Sequence, residues 1–263
     1  MSTILDTIAD HARERVAKAK EKHPLEDVKQ LALAAECNVD IPIEKALAAP
    51  GIRFICECKK ASPSKGVIAE DFPYLTIAKE YEAAGASCIS VLTEPKWFLG
   101  SDDYLREIAN TVSIPCIRKD FTVDEYMIYE AKLLGASAVL LICSLLSADE
   151  LQSYIEICDG LGLSALVEAH SEEEISSAIK VGARIIGVNN RNLKDFSVDT
   201  GNSERLRSMV PDNILFVAES GIRNREDVEV LEKARVDAVL IGETLMRSED
   251  KKTMLNELKG IKA

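Results

Sequence analysis

A basic excess is what this sequence most plainly lacks: 32 Lys and Arg stand against 44 Asp and Glu, for a net charge of −12. Nucleic-acid binding driven by counterion release needs the opposite sign, so no nucleic-acid partner is expected. Histidine is scarce, at positions 11, 23 and 170 only, and of the seven cysteines (37, 56, 58, 88, 116, 143, 158) only Cys56 and Cys58 are close in sequence. A thiolate or imidazole metal site needs clustered ligands, so no metal is expected. An odd number of cysteines set mostly in apolar runs reads instead as free, buried thiols in a reducing compartment. The longest nearly apolar stretch, Ala136 to Leu146, is far short of the roughly 20 residues a membrane span requires. The N-terminal segment carries Asp6, Asp10 and Glu14 and has no apolar core, which excludes a signal or transit peptide and makes a cytoplasmic location the expectation. Low-complexity segments and interdomain linkers are missing as well, so residues 1–263 are read as one domain.

What is present is alternation. Near-continuous runs of Ile, Val and Leu begin near Ile52, Ser87, Ile114, Ser137, Leu163, Arg184, Ile214 and Val236. Lacking polar alternation, they suit strands of a parallel sheet covered on both faces. Between them lie helical patterns, such as Val123, Met127, Ala131 and Leu134. Two helix starts carry capping-box sequences, Ser147 to Glu150 and Ser171 to Glu174. An internal repeat has the same rhythm: GASCISVL from Gly85, GASAVLLI from Gly135, GARIIGVN from Gly182 and ARVDAVLIG from Ala234. Each Gly suits the left-handed position after a helix, just before an even-numbered strand. Eight strand–helix units in this length predict an α/β fold, a closed (β/α)8 TIM barrel. The doubly wound open sheet is disfavoured, because the first strand is followed by ASPSKG rather than a Gly-rich dinucleotide turn. Residues 1–50 form an extra N-terminal helical segment. In it Ile4, Ile8, Ala12 and Val16 make an apolar stripe expected to pack on the barrel, with Asp6, Asp10, Arg13 and Lys20 facing away.

Every odd-numbered strand ends in ionisable residues: Glu57 and Lys59 on the first, Arg118 and Lys119 on the third, Glu168 on the fifth and Glu219 on the seventh. One such residue would reflect only that strand ends meet water. In a (β/α)8 barrel, however, alternate strands fill one layer and active sites lie at the C-terminal mouth, so Glu57, Lys59, Lys119, Glu168 and Glu219 are expected to converge. The period of two sends Cys56 and Cys58 to the opposite face, toward the helices. Buried charge is costly unless paired, so such a cluster points to chemistry. The turns Glu219-Ser220-Gly221 and Gly242-Glu243-Thr244 follow the seventh and eighth strands, where barrel enzymes commonly bind phosphate through backbone amides. Glu243 is expected to serve through its N–H with the carboxylate turned away, and Ser62 and Lys65 to add anion contacts.

These segments resemble the indole-3-glycerol phosphate synthase family. The resemblance is carried by ICECKKASPSKG, LTEPKWFLGS, RKDF, LVEAH, GVNNRNL, VAESGI and LIGETLM, in order and without a large gap from about Ile4 to Met246. It implies a carboxy-lyase of tryptophan biosynthesis that needs no cofactor. Such an enzyme closes 1-(2-carboxyphenylamino)-1-deoxyribulose 5-phosphate to indole-3-glycerol phosphate, losing carbon dioxide and water. It further implies Lys119 as general acid and Glu168 as general base, with Lys59 on the anthranilate carboxylate and sharing the acid work. Glu57, Asn189 and Glu219 would orient these groups. Arg191 falls on a substrate-contacting loop, Ser62, Ser220, Gly221, Gly242 and Glu243 on the phosphate site, and Phe98, Phe121 and Leu193 on the aromatic pocket. The partner expected is a small anionic substrate bearing a carboxylate and a phosphate, bound by a monomer or weak homo-oligomer without membrane attachment. Two alternatives are another sugar-phosphate barrel enzyme, such as phosphoribosylanthranilate isomerase, and a non-catalytic barrel that binds an anionic metabolite.

Overall fold

The apolar runs become strands because both their faces are buried. In the computed structural model, which describes residues 3–36, 42–192 and 197–261, they are β1 (Arg53–Cys58), β2 (Cys88–Leu92), β3 (Cys116–Lys119), β4 (Ala138–Ile142), β5 (Ser164–Ala169), β6 (Ile185–Asn189), β7 (Leu215–Glu219) and β8 (Ala238–Ile241). Each begins one or two residues after its expected position. All pair in parallel with their neighbours, and β1 pairs with β8 as well as β2, which closes the barrel. The pleat sorts the side chains as the period of two requires. Ile55, Cys88, Ile117, Leu140, Leu166, Ile185, Val217 and Leu240 fill the interior, while Phe54, Cys56, Cys58, Val139, Val167, Ile186 and Phe216 pack outward against the helices. The six described cysteines are all free, and all but Cys143 are buried; Cys37 lies outside the described residues.

The fourfold repeat is a repeat of helix endings. After α4 (Tyr74–Ala83), Gly85 takes φ 78°, and the amides of Gly85 and Ala86 donate back to Glu82 and Tyr81 carbonyls. The same pair of hydrogen bonds closes α6 (Glu125–Leu133) at Gly135 and α8 (Glu172–Lys180) at Gly182. This arrangement satisfies helix-end carbonyls and turns the chain into the next strand. In the fourth unit the motif ends α10 (Arg225–Lys233), but Arg235 stands where glycine stands elsewhere, at φ 60°. Two local expectations need correction. Val123 precedes the N-cap Asp124 of α6 instead of lying within the helix. At α8, Ser171 caps Glu174 N, yet the Glu174 carboxylate accepts from His170 N, so only half the capping box forms there. The box before α7 (Ala148–Gly160) is complete.

Among the described residues, three helices precede the barrel. In α1 (Ile4–Lys22), Ile8, Ala12 and Val16 are buried, joined by Leu5 and Ala9, and Ile4 is half-buried. Asp6, Asp10 and Arg13 face solvent, but Lys20 turns toward the barrel and pairs with Asp124 at 2.7 Å. Arg15 holds α1 over the barrel mouth by donating to both oxygens of buried Asp120, just after β3, at 2.7 and 3.1 Å. Helix α2 (Leu25–Ala34) packs along α6. Helix α3 (Pro42–Leu47) inserts Ile43 and Leu47 into the interior cluster. Its Glu44 bonds Ser164 and Arg184, near the starts of β5 and β6, so α3 plugs the end opposite the mouth.

Candidate active site

The inward face of β1 continues from Ile55 to Glu57 and on to Lys59, while Arg118 of β3 points outward. Arg118 is consumed by Asp102, Glu130 and the Met127 carbonyl, which leaves Lys119 as that strand's contribution to the mouth. Lys59 Nζ sits 2.7 Å from Glu57 Oε1, and Ser90 of β2 donates to Glu57 Oε2 at 3.3 Å. Lys119 Nζ lies 3.6 Å from Glu168 Oε2 and 3.5 Å from Glu219 Oε2. All four odd strands therefore meet in one ionic layer. Burial opposes the charge of Lys119, but the Glu219, Glu168 and Glu57 carboxylates outweigh it and raise its pKa above the ordinary lysine value. Burial likewise opposes the charge of Glu57, and Lys59 and Lys119 hold it below the usual carboxylate value. Glu219 goes the other way. Its Oε1 is buried with no hydrogen-bond partner among the described residues, and desolvation pushes the carboxyl up to about 8 despite Lys119. At neutral pH the layer thus presents a lysinium, a proton-bearing Glu219 and, facing them, Glu168.

Glycine makes room for this layer. A Cβ on Gly187 of β6 would run into Glu219 Oε1, and one on Gly242 would stand 2.5 Å from Glu57 Oε1 and 2.8 Å from Lys59 Nζ. After β7 the chain turns through two consecutive left-handed residues, Ser220 (φ 67°) and Gly221 (φ 85°). A non-glycine residue there stores strain of about 1 kcal/mol or more. The turn is held by Asn190 Nδ2 donating to the Ser220 carbonyl and by Thr244 Oγ1 donating to the Ile222 carbonyl. The second bond ties it to the turn after β8.

Contrary to expectation, the Glu243 carboxylate is not turned away. It lines the cleft and pairs with Arg247 at 3.1 Å, Lys65 at 3.6 Å and Arg191 at 3.9 Å. Burial disfavours its charge, but Arg247, Lys65 and Lys59 prevail and lower its pKa. Lys65 belongs to a small hairpin, Ala61–Ser62 with Gly66–Val67, anchored to the loop after β2 by Ala61 N donating to the Phe98 carbonyl.

Between the ionic layer and this cationic end runs a cleft of about 800 Å³. Glu57, Lys59, Ser62, Phe98, Lys119, Phe121, Glu168, Asn189, Arg191, Glu219, Ser220, Gly221, Gly242 and Glu243 all line it; Leu193 lies outside the described residues. The Phe98 and Phe121 rings stand 6.0 Å apart on one wall. Sequence reasoning missed much of the apolar lining, which includes Ile4, Leu5 and Ile8 of α1 and Leu140 and Ile142 of β4. It also missed Arg223 and Arg247. The stripe on α1 signalled that the helix packs, but nothing in it said that the packing surface is the mouth. Among the described residues no group of three or more His, Cys, Asp or Glu side chains is arranged to hold a metal ion, and no helix is long and apolar enough to cross a membrane.

Comparison with known proteins agrees with this geometry. A sequence model of the family described as indole-3-glycerol phosphate synthase matches residues 5–258. Indole-3-glycerol phosphate synthase of Ruminiclostridium cellulolyticum is 57% identical over 257 residues, covering 98% of this chain and 99% of the relative. That of Endomicrobium trichonymphae is 54% identical over 256 residues, covering 97% and 99%. Among solved structures, a 3-hexulose-6-phosphate synthase superposes with a TM-score of 0.63 at 14% identity, over 81% of this chain and 100% of its own. That likeness is one of fold alone.

Proposed function

The chain belongs to the indole-3-glycerol phosphate synthase family, and we propose that its ring closure is run by Lys119 as general acid and Glu168 as general base. The observation that supports this most directly is Lys119 Nζ, half-buried and held cationic by its neighbours, 3.6 Å from Glu168 and 3.5 Å from Glu219. The reaction turns 1-(2-carboxyphenylamino)-1-deoxyribulose 5-phosphate into indole-3-glycerol phosphate, carbon dioxide and water. The aryl carbon bearing the carboxylate attacks the ketone carbon, and the new carbon–carbon bond pushes electrons onto the carbonyl oxygen. Lys119 stabilises that oxygen and protonates it. The carbon–carboxylate bond then breaks, its electrons returning to the aryl ring as carbon dioxide leaves. Finally the hydroxyl takes a second proton from Lys59, whose carboxylate partner has left as carbon dioxide, and departs as water, while Glu168 takes the proton lost as the new ring becomes aromatic.

The rest of the cleft suits the two ends of the substrate. Lys59, steadied by Glu57, holds the anthranilate carboxylate, while Asn189 and Glu219 orient Lys119 and the sugar hydroxyls. The phosphate lies against the amides of Ser220, Gly221, Gly242 and Glu243, with Ser62, Lys65 and Arg191 around it. Phe98 and Phe121 receive the aryl ring. The enzyme works without metal or cofactor, as a cytoplasmic monomer or weak homo-oligomer with no nucleic-acid partner.

General acid–base assistance is typically worth 10²–10⁴-fold, so Lys119→Ala should cost about 3–5 kcal/mol of transition-state stabilisation. Indole fluorescence, followed with purified protein and the carboxyphenylamino substrate alone, reads this directly. A loss of less than about tenfold in kcat/KM would remove Lys119 from the role. Tight binding of the substrate without product would instead favour a non-catalytic binding barrel.

A further inference from the structure

Two residues beyond Glu168, on the same face of the chain, stands His170. Its Nε2 is 3.6 Å from Glu168 Oε1, and its Nδ1 is 3.6 Å from Glu174 Oε2 of α8. Nε2 is buried and has no hydrogen-bond partner among the described residues. Glu168 is therefore flanked on both oxygens, by Lys119 at Oε2 and by His170 at Oε1. A neutral imidazole between two carboxylates must aim one ring lone pair at an anion, whereas an imidazolium presents N–H to both. The half capping box has the same centre: Glu174 leaves the Ser171 amide and reaches back to the His170 amide and ring.

We propose that His170, as imidazolium, is the positioning residue of the base: with Lys119 it holds Glu168 between two cations, oriented toward the cleft, while Glu174 keeps His170 charged. This rests on the reading of Glu168 as general base. The groups facing the ring agree in sign. Burial works against its charge, but the Glu174 hydrogen bond and the charges of Glu168 and Glu174 outweigh it and raise its pKa above the ordinary histidine value; Glu219 of β7 also faces the ring, and with its carboxyl raised to about 8 it adds charge only in alkali. The Cys143 thiol after β4 is pushed up to about 12 by burial, with Glu174 and Glu168 adding to the rise, and stays neutral. Asn202 of α9 (Gly201–Arg207) contributes only an uncharged amide, donated to the His170 carbonyl. Lys119 acts on the ring only across Glu168.

The test is kcat against pH between about 5 and 9 for wild type, His170→Gln and His170→Lys. The Gln variant should lose about tenfold in kcat at pH 6, keep KM within about twofold and move the acid limb up by about one pH unit. The Lys variant, which keeps the charge, should bring the limb back. An acid limb that stays in place in His170→Gln, even with a lower kcat, overturns the proposal. A second measurement needs no folded variant at position 170. With only three histidines in the chain, the His170 ring can be followed by NMR titration in wild type. It should titrate above about 6.5 and fall when Glu168→Gln is introduced; a value below that, or one indifferent to Glu168→Gln, refutes the inference. Glu168→Gln assayed alone separates the two readings. If it retains kcat, the base assignment fails, whereas a collapsed kcat with an unmoved His170→Gln limb sinks only the role of His170.

Discussion

Glu219 shows how one side chain's chemistry is set by what surrounds it. Its orphaned Oε1 lies against Gly187, where any Cβ would collide with it, so the carboxyl is walled in and kept from water. Burial raises it to about 8 from an unfolded value near 4.5. The folded protein therefore binds this proton more tightly than the unfolded chain. The resulting stabilisation is complete below about pH 4.5 and is lost as pH climbs through about 8, a loss on the order of a few kcal/mol. Glu219→Gln removes that dependence. Its melting temperature relative to wild type should rise steadily between about pH 5 and pH 9, and a constant difference across that range would show that Glu219 does not hold the proton. The same substitution should leave kcat/KM less sensitive to alkali, since no new negative charge then appears beside Lys119.

At the scale of elements, six helices among the described residues end in the same pair of backbone hydrogen bonds, and five of them have glycine at the left-handed residue: Gly85, Gly135, Gly162, Gly182 and Gly260. Arg235 is the exception, at φ 60°, with its side chain 81% exposed and an aspartate 3.9 Å away. An L-residue in that conformation costs about 1 kcal/mol or more relative to its ordinary backbone wells. So distant a surface ion pair returns little of it. Arg235→Gly should therefore stabilise the protein by about 0.5–1 kcal/mol and raise Tm by about 2 °C without touching kcat. A lower Tm would mean that the Arg235 side chain contributes more than its exposure suggests. The entry of α1 into the mouth is the other element-scale lesson. Its stripe is legible as a helix face, but the partner of Arg15 is Asp120, 105 residues away, and no local pattern announces that pairing.

Across the whole molecule the charge is −12, and the fold answers an anionic ligand by gathering cations at one end of the cleft. Lys65, Arg191 and Arg247 come from three separate stretches of chain and surround Glu243. A phosphate dianion entering there meets a carboxylate already holding these cations. Glu243→Gln should make inorganic phosphate a better inhibitor by about threefold to tenfold, with kcat little changed; an unchanged inhibition constant would show that the carboxylate does not compete. The strand count, the inward set of Glu57, Lys59, Lys119, Glu168 and Glu219, and the left-handed Gly85, Gly135 and Gly182 were legible in the chain itself. Each is governed by neighbours within a few residues: a period of two, or a helix end that demands positive φ. Where the Glu243 carboxylate points, what His170 faces and why Glu219 keeps its proton were decided by the tertiary structure. Those properties are sums over desolvation and charges brought together by barrel closure from β1 to β8, and both fall off with distance through space, which sequence separation does not measure.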